Sequence, residues 1–131
     1  MGRKRMLREI KVRTTRKEDV IDITEHVREA VREAGVKEAG VFVYVPHTTA
    51  AITIHGKTNA EGTPMLNNIL RVATTEEDAD SSQKKAAFVA PTEVLIAVDG
   101  KLLLGEDQHI YLYEFDGPQE RSVYVLLIPT R

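Results

Sequence analysis

From Leu7 to Thr14 the chain alternates, with Ile10, Val12 and Thr14 on one side, and a period of two is that of a strand with one buried face. The period then lengthens. Val27, Ala30, Val31 and Ala34 fall at i, i+3, i+4 and i+7, the apolar stripe of a helix lying on a core. Asp22 or Thr24 is placed to cap that helix at its start, and Gly35 suits the left-handed position at its end. Gly40 to Val45 and Ala50 to Ile54 are rich in β-branched and aromatic residues and read as two strands. A polar loop, Gly56 to Gly62, leads to Pro64, which fits the first turn of a helix through Ala73 with Met65, Ile69 and Val72 inward.

The acidic run Thr74 to Asp80 reads as a solvated loop. Ser81 or Ser82 can then cap a short helix through Phe88, stopped by Pro91. Val94 to Val98 and Lys101 to Leu104 flank Asp99-Gly100, a type I′ hairpin signal. Gln108 to Glu114 alternates, placing Ile110, Leu112 and Glu114 on one face and His109, Tyr111 and Tyr113 on the other. Asp116-Gly117-Pro118 turns the chain, and Arg121 to Ile128 closes the sheet. Late hairpins predict an α+β fold: a mainly antiparallel sheet or sandwich with two to three helices packed on it, formed by residues 1–131 as a single domain. The last strand is apolar on both faces: Val123, Val125 and Leu127 oppose Tyr124, Leu126 and Ile128. A chain this small rarely covers both faces of a sheet by itself, so a homo-oligomer is expected.

Composition narrows the function classes. The 131 residues contain no cysteine, which excludes disulfides and thiolate metal sites. A net charge of -2 argues against nucleic acid as a partner, leaving only the basic start Arg3 to Arg8 as a phosphate-binding arm or a solvated terminus. No apolar stretch approaches the roughly 20 residues of a membrane span, and none follows the basic start as a signal peptide would require. A cytoplasmic protein with no membrane partner is the expectation.

The chemistry concentrates in two places. Val41 to Val45 is a buried strand that runs directly into Pro46-His47-Thr48-Thr49-Ala50. An imidazole there can move a proton near neutral pH or bind a metal through one nitrogen. Thr48 and Thr49 offer hydroxyls and backbone N–H groups to an anion such as phosphate. Farther on, Glu114 shares a face with apolar neighbours and needs a partner, which Arg121 or Lys101 supplies. That carboxylate serves either as half of an ion pair or as a general base. Arg121 either makes that pair or holds a substrate phosphate. His55 lies eight positions after His47, roughly 25 Å along an unbroken strand at about 3.3 Å per residue, so no metal site is assigned to the two.

These segments resemble a known family, the YjbQ-like uncharacterised proteins. The resemblance runs through Ile21-Asp22-Ile23-Thr24, Val45-Pro46-His47-Thr48-Thr49-Ala50, Val98-Asp99-Gly100-Lys101-Leu102-Leu103-Leu104-Gly105, Gln108 and Ile110, Glu114-Phe115-Asp116-Gly117-Pro118, and Arg121. It implies a compact α+β subunit, a homotrimer with sites near subunit boundaries, and a secondary thiamine-phosphate synthase type of activity. That reaction joins a pyrimidine diphosphate to a thiazole phosphate and releases pyrophosphate, with Mg²⁺ as the cofactor it admits. His47 and Glu114 are then the catalytic candidates, and Thr48, Thr49, Asn59, Gln108 and Arg121 the substrate-binding ones. The chain departs from the family pattern at several places. The segment His55 to Glu61 is longer and different, Ser81 and Gln83 occupy the places of two further histidines, Glu106-Asp107 replaces a Thr-Trp pair, and Gln119 replaces an arginine. Two readings follow: an enzyme acting on a phosphorylated metabolite, or a non-catalytic homo-oligomer that binds a small anionic one.

Overall fold

The structure is a computed structural model that describes residues 5–57 and 80–130. The helix expected at 64–73 and most of the acidic run lie outside the described residues. In chain order the elements are β1 (Leu7–Arg13), β2 (Asp19–Asp22), α1 (Thr24–Ala34), β3 (Glu38–Tyr44), β4 (Ala50–His55), α2 (Ser81–Val89), β5 (Thr92–Val98), β6 (Lys101–Leu102), β7 (His109–Glu114) and β8 (Glu120–Pro129). They form a five-stranded sheet in the order β1-β8-β3-β5-β6 and a three-stranded sheet in the order β2-β7-β4. Every strand pair is antiparallel.

The two sheets face each other across one apolar core. Ile10, Val12, Val41, Val43, Leu95, Val123 and Val125 line the larger sheet's inner face. Ile52, Ile110 and Leu112 come from the smaller sheet, and Val27, Ala30, Val31 and Ala34 from α1. The smaller sheet is covered on its other side as well, where Ala51, Tyr111, Tyr113 and Phe115 pack with Ala86 of α2. The alternation of β7 therefore sorts its residues between two clusters rather than between core and water.

The larger sheet's outer face is different. Tyr44, Val94, Ile96, Leu126 and Ile128 are all exposed there, Ile96 and Ile128 by about half. Register joins them into one band: Phe42 lies opposite both Val94 and Leu126, and Gly40 opposite both Ile96 and Ile128.

Several local expectations are revised. The four-residue strand β2 has only Val20 and Ile21 as apolar content and leaves no period to read. It exists because it pairs with β7, and because the Asp19 carboxylate holds the preceding turn through Thr15 N–H (3.2 Å) and Arg16 (2.9 Å). The N-cap of α1 is Ile23, without a side-chain cap. Asp22 instead accepts from the Thr24 N–H at 2.9 Å and the Thr24 hydroxyl at 2.6 Å, and Thr24 Oγ1 accepts the Ile110 N–H at 2.9 Å, tying α1 to β7. Asp80, not a serine, precedes α2 as its N-cap, and Ser82 spends its hydroxyl on the Phe115 carbonyl at 2.7 Å. The hairpin after β5 has positive φ at both central residues, 53° at Asp99 and 76° at Gly100, as type I′ requires.

Candidate functional site

The loop between β3 and β4 is held from two sides. Where β3 ends, Val45 donates its N–H to the Pro91 carbonyl at 3.0 Å, and Ile52 of β4 donates to the neighbouring Ala90 carbonyl at 3.1 Å. Ala90 is bent to φ 90° and ψ 150° to present that carbonyl, a region that essentially only glycine occupies without strain. On the other side, β8 runs on past its last β3 partner pair, Tyr44 with Tyr124. The Ser122 N–H that β3 leaves open is taken by His47, whose Nε2 accepts it at 3.2 Å.

His47, Thr48, Ala50, Gln83, Ala86, Ala87 and Pro91 line a cleft of about 260 Å³ between this loop and α2. Ala50, Ala86, Ala87 and Pro91 give it apolar lining, and His47, Thr48 and Gln83 are its polar residues. The His47 pKa is lowered, first by burial and then by the positive charge of Arg121, with Glu114 pulling the other way. Burial and Arg121 thus favour the neutral ring.

A closed polar network lies behind the loop. Glu114, at the end of β7, and Arg121, near the start of β8, are 1% and 2% exposed, so neither reaches solvent. Glu114 Oε1 accepts from Arg121 Nε at 2.8 Å and from the Thr14 hydroxyl at 2.8 Å. Its Oε2 accepts from Arg121 Nη2 and from the Asp116 N–H at 3.0 Å. Arg121 Nη2 also donates to Thr49 Oγ1 at 2.7 Å, and the Thr49 carbonyl accepts the Phe115 N–H at 2.9 Å. Burial works to raise the Glu114 carboxyl, but the bonds from Arg121, Asp116 and Thr14 outweigh it and hold its pKa below the usual carboxylate value. Gly117, which precedes a cis Pro118, closes the network: a Cβ there would stand 2.8 Å from Thr14 Oγ1 and 2.9 Å from Glu114 Cγ.

The expected site residues thus separate into groups. His47 and Thr48 border the cleft. Thr49, Glu114 and Arg121 form the network behind it. Gln108 stands apart, binding the Gly105 N–H through Oε1 at 2.7 Å and lining a different hollow with Leu103 and Ile96. Asn59 lies outside the described residues. Of Ser81 and Gln83, where the resemblance leads one to expect histidines, Gln83 lines the cleft, while Ser81 lines another hollow with Lys17, Glu18 and Lys85. His55 lies directly opposite His109 in the β4–β7 ladder, its Nε2 bonded to the Tyr113 hydroxyl at 2.7 Å. No cluster of three or more metal-ligating side chains occurs among the described residues. Ser122 was invisible to sequence reasoning because it contributes a backbone group. Ala86 and Ala87 were legible only as helix residues.

Two antiparallel sheets enclosing one core, with helices against them, define an α+β protein. Residues 8–130 match the family described as UPF0047 protein YjbQ-like, and the chain belongs to that family. It is 32% identical over 131 residues to the UPF0047 protein YugU of Bacillus subtilis, covering 94% of this chain and 99% of that one. It is 34% identical over 131 residues to the UPF0047 protein MJ1081 of Methanocaldococcus jannaschii, covering 95% of each. An X-ray structure from C. acetobutylicum, solved as a structural-genomics target, superposes with a TM-score of 0.84 at 35% identity, covering 93% of this chain and 98% of that one.

Proposed function

We propose that this YjbQ-like chain is a homo-oligomer that binds a small anionic or phosphorylated metabolite in the His47 cleft. One observation carries the reading: His47, Thr48 and Gln83 line one cleft with Ala50, Ala86, Ala87 and Pro91, and the loop that carries His47 and Thr48 is tied through Thr49 to a buried ion pair. Clefts of apolar lining with a few convergent polar groups are the usual form of small-molecule sites. The homotrimer implied by the family likeness accounts for the bare outer face of the larger sheet. A second copy laid on Tyr44, Val94, Ile96, Leu126 and Ile128 buries them as association requires.

A second reading, a thiamine-phosphate synthase type of transferase working with Mg²⁺, is favoured by the His47-Thr48-Thr49 and Glu114-Phe115-Asp116-Gly117-Pro118 runs. The experiment pairs titration calorimetry, using phosphate and pyrophosphate, with a pyrophosphate-release assay on a pyrimidine diphosphate and a thiazole phosphate. Binding that is lost in His47→Ala, without turnover, is the expected result. Release of pyrophosphate that depends on His47 selects the enzyme. Absence of both binding and turnover overturns the site.

A further inference from the structure

We infer that His47 is locked as a hydrogen-bond donor, with its single proton on Nδ1, and that the cleft therefore selects ligands presenting an oxygen acceptor and refuses metal ions. The inference rests on the His47 cleft being the binding site and goes on to name the class of group it takes.

A neutral imidazole has one N–H and one lone pair. Here the partner of Nε2 is a backbone N–H, that of Ser122 at 3.2 Å, which can only donate. The lone pair is therefore on Nε2 and the proton on Nδ1; the bond made by one ring nitrogen fixes the state of the other. Ser122 gains as well, since its N–H lies past the end of the β3 pairing and His47 is the acceptor that replaces the ladder. The alternative tautomer sets two N–H groups against each other. So does the imidazolium, which Arg121 also opposes and which Glu114, already spent on Arg121, favours only weakly.

The consequences for chemistry are specific. Nε2 is not available to a metal, and Nδ1 could coordinate one only after losing the proton that its tautomer keeps there. As a general base His47 has no free lone pair. As a donor it resembles the neutral imidazoles that polarise a carbonyl. The partner it fits is a carbonyl, carboxylate or phosphoryl oxygen, attached to a body small enough for the alanine and proline lining.

The test is ¹⁵N-detected NMR of histidine-labelled protein at pH 7, with the four histidines assigned by substitution. The expected spectrum shows His47 with a protonated Nδ1 and an unprotonated Nε2. Inorganic phosphate or uracil should shift the Nδ1–H, and added Zn²⁺ should leave the ring unmoved. His47→Met sharpens the assay, because its thioether is a weak acceptor that can face the Ser122 N–H while no donor remains. It should keep the fold and bind phosphate about ten-fold more weakly. An Nε2–H tautomer, an imidazolium at pH 7 or a Zn²⁺-dependent shift overturns the inference even if ligands bind. The expected tautomer with no response to either probe overturns the binding reading instead, and the ligand class with it.

Discussion

Glu114 and His47 stand at the same end of the molecule, and each is the acid–base group of its motif, but they are set differently. Every oxygen lone pair that Glu114 directs at the protein is met, twice on Oε1 and twice on Oε2, and no water reaches it. His47 is half-buried, accepts a backbone N–H through one nitrogen and lines the cleft. The charged pair is the more costly group to bury, so it is the one enclosed by donors. The neutral ring can border a cleft because neutrality costs little there. A motif that pairs a carboxylate with a histidine thus contains a wall and a face. Burial, not residue type, tells them apart.

The sharpest way to break that contrast is to remove one partner of the enclosed pair. Arg121→Ala leaves Glu114 buried without its counter-charge and should cost about 3–5 kcal/mol in denaturant unfolding. The double variant Arg121→Met, Glu114→Leu should recover much of that loss. A single variant that unfolds like the parent contradicts the enclosure. Gly117→Ala comes next, because its Cβ has no space among Thr14, Glu114 and the backbone; a loss of about 2–3 kcal/mol is expected from overpacking.

Acid provides a graded version of the same experiment. The folded Glu114 carboxyl lies below its ordinary value of about 4.3, so its contribution is complete above that pH and is lost as pH falls through the folded value. Asp19 and Asp22 share the direction: burial tends to raise each, and hydrogen bonds, from Arg16 and from Thr24 respectively, outweigh it. Stability measured from pH 7 downward should hold until about pH 5 and decline below it. Arg121→Ala should flatten the decline.

The smallest effect lies on the open side and has the opposite sign. Ala90→Gly relieves a backbone conformation that costs of order 1–3 kcal/mol for a residue with a Cβ, partly offset by the greater freedom of glycine in the unfolded chain. A gain of about 1 kcal/mol in thermal or denaturant unfolding is the expectation. A loss would mean that the strain is absent.

The strands with regular alternation, and the α1 stripe with its Gly35 terminator, were legible because period and turn chemistry are local. The Asp99-Gly100 turn was legible for the same reason. What was not legible is tertiary. Strand β2 is made by its neighbour β7, the helix starts are set by contacts of Thr24 and Ser82 with β7 and the chain just after it, and Gln83 reaches the cleft only because α2 packs against β4. The His47 motif was visible, but which of its nitrogens is occupied depends on a backbone amide seventy-five residues away in the chain. Gln108 matched the family pattern in sequence and still lies at a separate hollow, because the turn at Gly105 holds its side chain.

Strand β7 separates two interiors. Ile110 and Leu112 belong to one and Tyr111 and Tyr113 to the other, and the strand has a hydrogen-bonded neighbour on each edge. Its amide protons are consequently shielded from four directions. In deuterated water they should be among the slowest to exchange, their rate reporting the opening of the whole fold rather than of any single layer.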